Sequence, residues 1–158
     1  MATTNAATTY LEHRILNFIF NNNAQVSSAN FGSGNSNGLG SNIYVGLATA
    51  VSNFDDSTGE SADSVSVTEA TFGAYARVQV TAWTLVSPTA NQQTAKNTNA
   101  IDFSAKSDSG TQTITHVFIA DASSSGNILF VGALDASKTL AEGDIFRINA
   151  TNLSIELK

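Results

Sequence analysis

Apolar residues follow two different spacings along this chain. Near its start, Leu11, Ile15, Phe18 and Ile19 fall on one stripe of an α-helix. Thr9-Tyr10-Leu11-Glu12 precedes them as a capping box, in which the Thr9 hydroxyl accepts from the Glu12 amide and the Glu12 side chain reaches back. The pattern predicts a helix over residues 10–20, ended by Asn21-Asn22-Asn23. Leu16 and Phe20 lie beside the stripe and widen it, so the helix has to be buried. Its own sheet is the first candidate cover and another subunit the second.

From residue 43 the period changes to two. Ile43, Val45 and Leu47 alternate, Val65–Thr68 reads as a short strand, and Tyr75 to Trp83 reads as a long one. In the long strand Ala76, Val78 and Val80 are expected on one face and Tyr75, Arg77 and Gln79 on the other, with Thr84–Val86 extending it past a bulge. Ala100–Ala105 places Ile101 and Phe103 together. Thr113–Ala120 and Asn127–Leu134 are the most apolar segments, joined by turn-forming residues over Asp121–Gly126, and predict a hairpin. Ile145–Asn149 follows the turn Glu142-Gly143-Asp144, and Leu153–Leu157 closes the series. Residues 50–64 and 88–97 read as loops.

Seven or eight strands without strand–helix alternation predict a mainly β fold, an antiparallel β-sandwich of jelly-roll or immunoglobulin-like type with one N-terminal α-helix. Residues 1–42 are read as an N-terminal arm, the helix and a Gly/Ser/Asn-rich loop, and residues 43–158 as the sandwich, within a single compact domain. The loop over 27–42 cannot bury enough apolar surface to order itself, so a partner or the domain body is expected to order it.

Composition narrows the function. Only 13% of residues are charged, against about 25% in typical globular chains, so Ser, Thr, Asn and Gln supply the polar surface. Uncharged polar groups cost less to desolvate than ions, which suits a chain covered by neighbours. The net charge is −6, from 7 basic and 13 acidic residues, and no basic cluster exists to displace counterions from phosphate. Nucleic acid is therefore not an expected partner. The absence of cysteine excludes disulfides and thiolate metal sites. No stretch has the length of a membrane-spanning helix, and Met1–Thr9 lacks the features of a signal peptide. A cytoplasmic origin in the host and no membrane association are expected.

No catalytic constellation stands out. His13 and His116 are the only histidines, and no Gly-x-Ser-x-Gly elbow is present. His116 lies mid-strand, where pairing to a carbonyl or a neighbouring hydroxyl is expected. Asp55-Asp56-Ser57-Thr58-Gly59-Glu60 lacks the calcium-loop spacing and reads as a solvated loop. Gly32, Gly34, Gly38 and Gly40 lack the Gly-Lys-Ser/Thr ending of a phosphate loop. Asn149-Ala150-Thr151 and Asn152-Leu153-Ser154 match the glycosylation pattern without a secretory context. Tyr44, Tyr75 and Trp83 are read as core or interface aromatics ahead of sugar-stacking ones. Asp102, Asp121 and Asp144 fall at strand ends or turns, where turn formation outweighs a glycosidase pair. The chain is expected to be no enzyme, with no cofactor and no metal.

The strand series carries a resemblance. Tyr44-Val45-Gly46-Leu47-Ala48-Thr49, Tyr75-Ala76-Arg77-Val78-Gln79-Val80 and Asn97-Thr98-Asn99-Ala100-Ile101-Asp102-Phe103 come first. Ile114-Thr115-His116-Val117-Phe118-Ile119-Ala120-Asp121, then Gly126-Asn127-Ile128-Leu129 through Gly132-Ala133-Leu134, and Gly143-Asp144-Ile145 follow. In this order they resemble a family of small bacteriophage virion proteins, described as tail-fibre-like or head-decoration proteins, over about residues 43–157. The resemblance implies a shared fold and a structural role in the virion. Capsid decoration, as a cement protein bound to the major capsid protein or other virion proteins, is the leading expectation. The alternative is a tail, neck or fibre component, an adhesin module that binds host glycan. A homo-oligomer is expected, with a trimer favoured. Leu11, Ile15, Phe18, Ile19, Phe31, Gly34 and Leu39 are the candidate partner contacts.

Overall fold

A strand buried on both faces needs apolar residues at successive positions, not only at alternate ones. Two segments meet that demand, and they form the centre of the largest sheet. The computed structural model describes Leu16, Phe20 and residues 43–52, 66–86, 93–126 and 128–157. Within them are ten strands, β1 (Tyr44–Ser52), β2 (Ser66–Glu69), β3 (Val78–Gln79), β4 (Trp83–Val86), β5 (Gln93–Asn97), β6 (Ile101–Asp102), β7 (Gln112–Ala120), β8 (Ile128–Leu140), β9 (Arg147–Ile148) and β10 (Ser154–Leu157). The fold is mainly β, and every pairing with a defined register is antiparallel. The chain divides into two compact units.

The unit formed by Tyr44–Gln79 and Asp102–Arg147 holds the five-stranded sheet, in the order β2-β1-β7-β8 with β3 also on β1. Val45, Gly46, Leu47 and Ala48 of β1 are all buried, as are Val117 to Ala120 of β7. The register pairs Tyr44 with Ala120, Gly46 with Phe118 and Ala48 with His116. These residues share one face, where Ala48, Phe118 and Ala120 form a cluster flanked by Val51, Val67, Ile128 and Val131. Gly46 is required there, because a Cβ would lie 2.2 Å from the Phe118 ring. A second aromatic group links Phe72, Tyr75, Phe103 and Phe146, with neighbouring ring centroids 5.3–6.2 Å apart. The expected hairpin is present as β7 and β8, which pair antiparallel. β8 runs beyond the expected Leu134 because residues 134–137 form a bulge between the Ala133–His116 and Lys138–Ile114 pairs.

The other unit comprises Met1–Ile43, Val80–Ile101 and Ile148–Lys158, and its sheet is β10-β5-β4. Its centre is β5, a segment expected to be loop because Gln93-Thr94-Ala95-Lys96-Asn97 has almost no apolar alternation. Pairing on both sides makes the strand, and Thr94, Ala95 and Asn97 are buried within it. Asn97 is fully buried and fully used. Its side-chain amide donates to the carbonyls of Asn99 and Asn149, and its Oδ1 accepts from the Leu153 amide. Trp83 is buried, with its indole N–H on the Val80 carbonyl and its ring centroid 4.4 Å from that of Phe20. β6 and β9 pair as a two-stranded ladder.

The long strand expected from Tyr75 to Trp83 is broken. Only Val78–Gln79 and Trp83–Val86 are strand, and the chain leaves one unit for the other between Gln79 and Val80. The predicted facing inverts at its start: Ala76 is exposed, whereas Tyr75 and Arg77 are partly buried. A polar side chain can turn inward when a matching carboxylate waits there, and Glu69 supplies it. Of the helix expected over 10–20, only Leu16 and Phe20 are described. Both have helical backbone and are buried, but no helical segment is established among the described residues. The loop at 27–42 and most of the 1–42 region lie outside them.

Candidate functional site

The densest polar arrangement in the described residues grows from a gap in the sheet. β2 pairs with β1 from Ala48 onward and β3 pairs at Tyr44 and Val45, which leaves Leu47 without a ladder partner on that edge. A buried peptide group must still be bonded. The Leu47 carbonyl accepts from the Ala70 amide at 2.9 Å, and its N–H donates to the Tyr75 hydroxyl at 2.9 Å. That hydroxyl donates in turn to Glu69 Oε1 at 2.7 Å.

Glu69 also receives both prongs of Arg77, from Nε to Oε1 and from Nη2 to Oε2, each at 2.9 Å. The fork-to-fork geometry is the strongest pairing available to these groups. Arg77 Nη1 then reaches across the hairpin and donates to the carbonyls of Ala122 at 2.9 Å and Ser125 at 2.7 Å. Its guanidinium carbon lies 5.0 Å from the centre of the Phe118 ring. With its side chain 7% exposed, Arg77 is the internal cation of this network.

The protonation states follow from these contacts. Burial alone would raise the Glu69 pKa, but hydrogen bonds from Arg77 and Tyr75 outweigh it and hold the carboxyl below its usual range. Burial, then the bond to Glu69, pushes the Tyr75 phenol well up, so it stays a neutral donor. The Glu69 bond raises Arg77 further.

What Arg77 fixes is the turn over Asp121–Gly126. Ser123, Ser124, Ser125 and Gly126 in it are exposed. Ser125 has φ 54° and Gly126 φ 75°, consecutive left-handed residues. At Gly126 a Cβ would also lie 2.5 Å from Asp121 Oδ1, so glycine is required twice over. Tyr44 is half-buried, and its register partner Ala120 immediately precedes this turn.

A second internal cation holds the loop after β6. Lys106 is 2% exposed and its Nζ donates to the carbonyls of Asp108 and Ser109 and to Asp108 Oδ1. The Lys106 bond, helped by the Gly73 amide, lowers the Asp108 pKa.

The residues singled out in the sequence are distributed as follows. Trp83 is core, and the Tyr75 hydroxyl is consumed by Leu47 and Glu69, which leaves Tyr44 as the most available of the three aromatics. His116 Nδ1 lies 2.7 Å from Thr115 Oγ1. The Thr115 hydroxyl donates to the Thr49 carbonyl at 2.9 Å, so Nδ1 is the donor in the histidine pair. Asp102 forms an exposed ion pair with Arg147, which lowers its pKa, and Asp144 Oδ2 accepts from the Ala141 amide. Among the described residues no group of three His, Cys, Asp or Glu side chains is placed to hold a metal. His13, the acidic loop at 55–60, the glycines at 32–40 and all seven partner-contact candidates (Leu11, Ile15, Phe18, Ile19, Phe31, Gly34 and Leu39) lie outside the described residues.

The family described as Podophage GP4 fiber I protein gp80 matches residues 6–156. The chain belongs to this family. No curated protein matches it. Membership makes the chain a structural protein of the phage virion, located in the particle in association with other virion proteins. The match also includes most of the N-terminal region, where the sequence resemblance had begun only at about residue 43.

Sequence reasoning missed the Glu69–Tyr75–Arg77 network and the Lys106 tether. A signal was present for the first. In a chain with so few charges, an arginine flanked by apolar residues and lying eight positions after a glutamate is a candidate internal ion pair. Nothing in the sequence marked Lys106, because the oxygens that hold it are mainly backbone carbonyls.

Proposed function

We propose that this chain is a subunit of a phage fibre, a non-catalytic module that assembles with copies of itself and contacts glycan on the host surface. The observation that carries the reading is the family match over residues 6–156, which favours a fibre over capsid decoration. The local chemistry agrees with a non-catalytic role. The Asp102 and Asp144 carboxylates are engaged in an ion pair and a turn, and the Glu69 carboxylate accepts three hydrogen bonds from Arg77 and Tyr75. A surface of neutral polar groups is suited to repeated protein contacts, because little charge must be desolvated. A homo-oligomer, with a trimer favoured, is the assembly we infer.

Antibody-gold labelling of intact particles tests the position. Gold on appendages is the expected result, and gold spread over the capsid lattice of tailless particles would restore the decoration reading. Competition by the purified chain against phage adsorption tests the host contact.

A further inference from the structure

We infer that the turn over Asp121–Gly126, together with Tyr44, is the saccharide-contact site of this subunit, an inference that rests on the glycan-binding reading above. The turn has a polar tip, yet its backbone is bonded to a buried arginine side chain. Arg77 commits Nη1 to two of its carbonyls, and two successive left-handed residues set its path. Holding a turn open to solvent in one shape brings little burial, but it spares a ligand the entropy of ordering the loop. The tip offers three consecutive serine hydroxyls, at Ser123, Ser124 and Ser125, all exposed. A hydroxyl both donates and accepts, as do the hydroxyls of a neutral sugar.

Tyr44 completes the arrangement. Its register partner is Ala120, so it stands at the end of the sheet from which the turn emerges, and its side chain is partly exposed. An aromatic ring at the sheet end from which a serine turn of fixed backbone emerges suits a pyranose, with apolar C–H groups on one side and hydroxyls at its rim. A protein partner is the poorer fit, since the serine tip offers none of the large buried anchors that dominate protein interfaces. Each contact is weak, and repetition of the subunit along a fibre would raise the avidity.

The test measures binding of the purified full-length chain to intact host cells and to polysaccharide extracted from their envelope. Ser123→Ala with Ser124→Ala, and separately Tyr44→Ala, are each expected to weaken binding about ten-fold, with thermal melting of the serine variant unchanged. Tyr44→Phe is expected to bind as wild type, which assigns the contact to the ring and not the hydroxyl, and a folded thermal transition of Tyr44→Ala separates loss of the ring from loss of the fold. Wild-type binding by both the serine variant and Tyr44→Ala would overturn the site and leave the glycan reading standing. Failure of the unaltered chain to bind the polysaccharide would overturn both. Binding to cells that protease treatment abolishes, without binding to polysaccharide, would overturn the saccharide class in favour of a protein receptor.

Discussion

Single atoms decide much at the centre of this protein. Gly46 leaves room for the Phe118 ring, which is 1% exposed and has no open side to move into. Gly46→Ala is expected to cost about 2–3 kcal/mol, the range for overpacking a filled core, read as a lower denaturant midpoint. The Glu69 carboxylate carries a pH dependence whose sign is fixed. Its pKa is lowered in the folded state, so its contribution to stability is present above the usual value of 4.5 and is lost as pH falls through the folded value. Acid titration of stability should therefore decline below that point, and Glu69→Gln should flatten the decline. At neutral pH Glu69→Gln should also cost about 2 kcal/mol, because it leaves the guanidinium of Arg77 without its counter-charge. Of these partnerships only the Glu69–Arg77 pair left a trace in the sequence, an arginine among apolar residues eight positions after a glutamate. The alternation around Tyr75–Val80 even predicted the wrong facing at Ala76 and Arg77, since periodicity reports polarity and not whether a polar group has a buried partner.

Whole elements were easier to read when their apolar pattern was strong. β1, β7 and the first half of β8 fall where alternation and apolar runs put them, and the turn residues between β7 and β8 announced the hairpin. β5 was hidden because its order comes from two neighbouring strands and from Asn97, not from its own composition. The loop after β6 is similar, since its shape depends on one lysine. Lys106→Met is expected to cost about 1–2 kcal/mol, removing the buried donor to the carbonyls of the exposed residues Asp108 and Ser109, and to speed amide hydrogen exchange over residues 107–111 while β7 stays protected. A melting transition equal to wild type would show the tether to be dispensable.

At the scale of the molecule, two residues from well before the first strand, Leu16 and Phe20, lie in the core of one unit. Leu16 and Phe20 are buried, and Phe20 packs on Trp83, the only tryptophan in the chain. That tryptophan is thus a clean reporter. Phe20→Ala is expected to shift its emission to the red and to cost about 3–4 kcal/mol. A chain beginning at residue 43 should show the same shift, and unshifted emission in either would refute that packing. The fold class and virion role were within reach of pattern and resemblance. The interleaving of the units was not, because each is assembled from separate stretches of chain and no composition change marks the crossings.

The bulge at residues 134–137 of β8 bears on what this strand offers to a second chain. A sheet margin that runs straight is a template on which any second chain can crystallise, and identical chains made together are the readiest to do so. Among the described strands β8 pairs only with β7, and its run is interrupted midway. The kink spoils the template. A second chain adding along that edge would find no unbroken row of backbone groups to pair with.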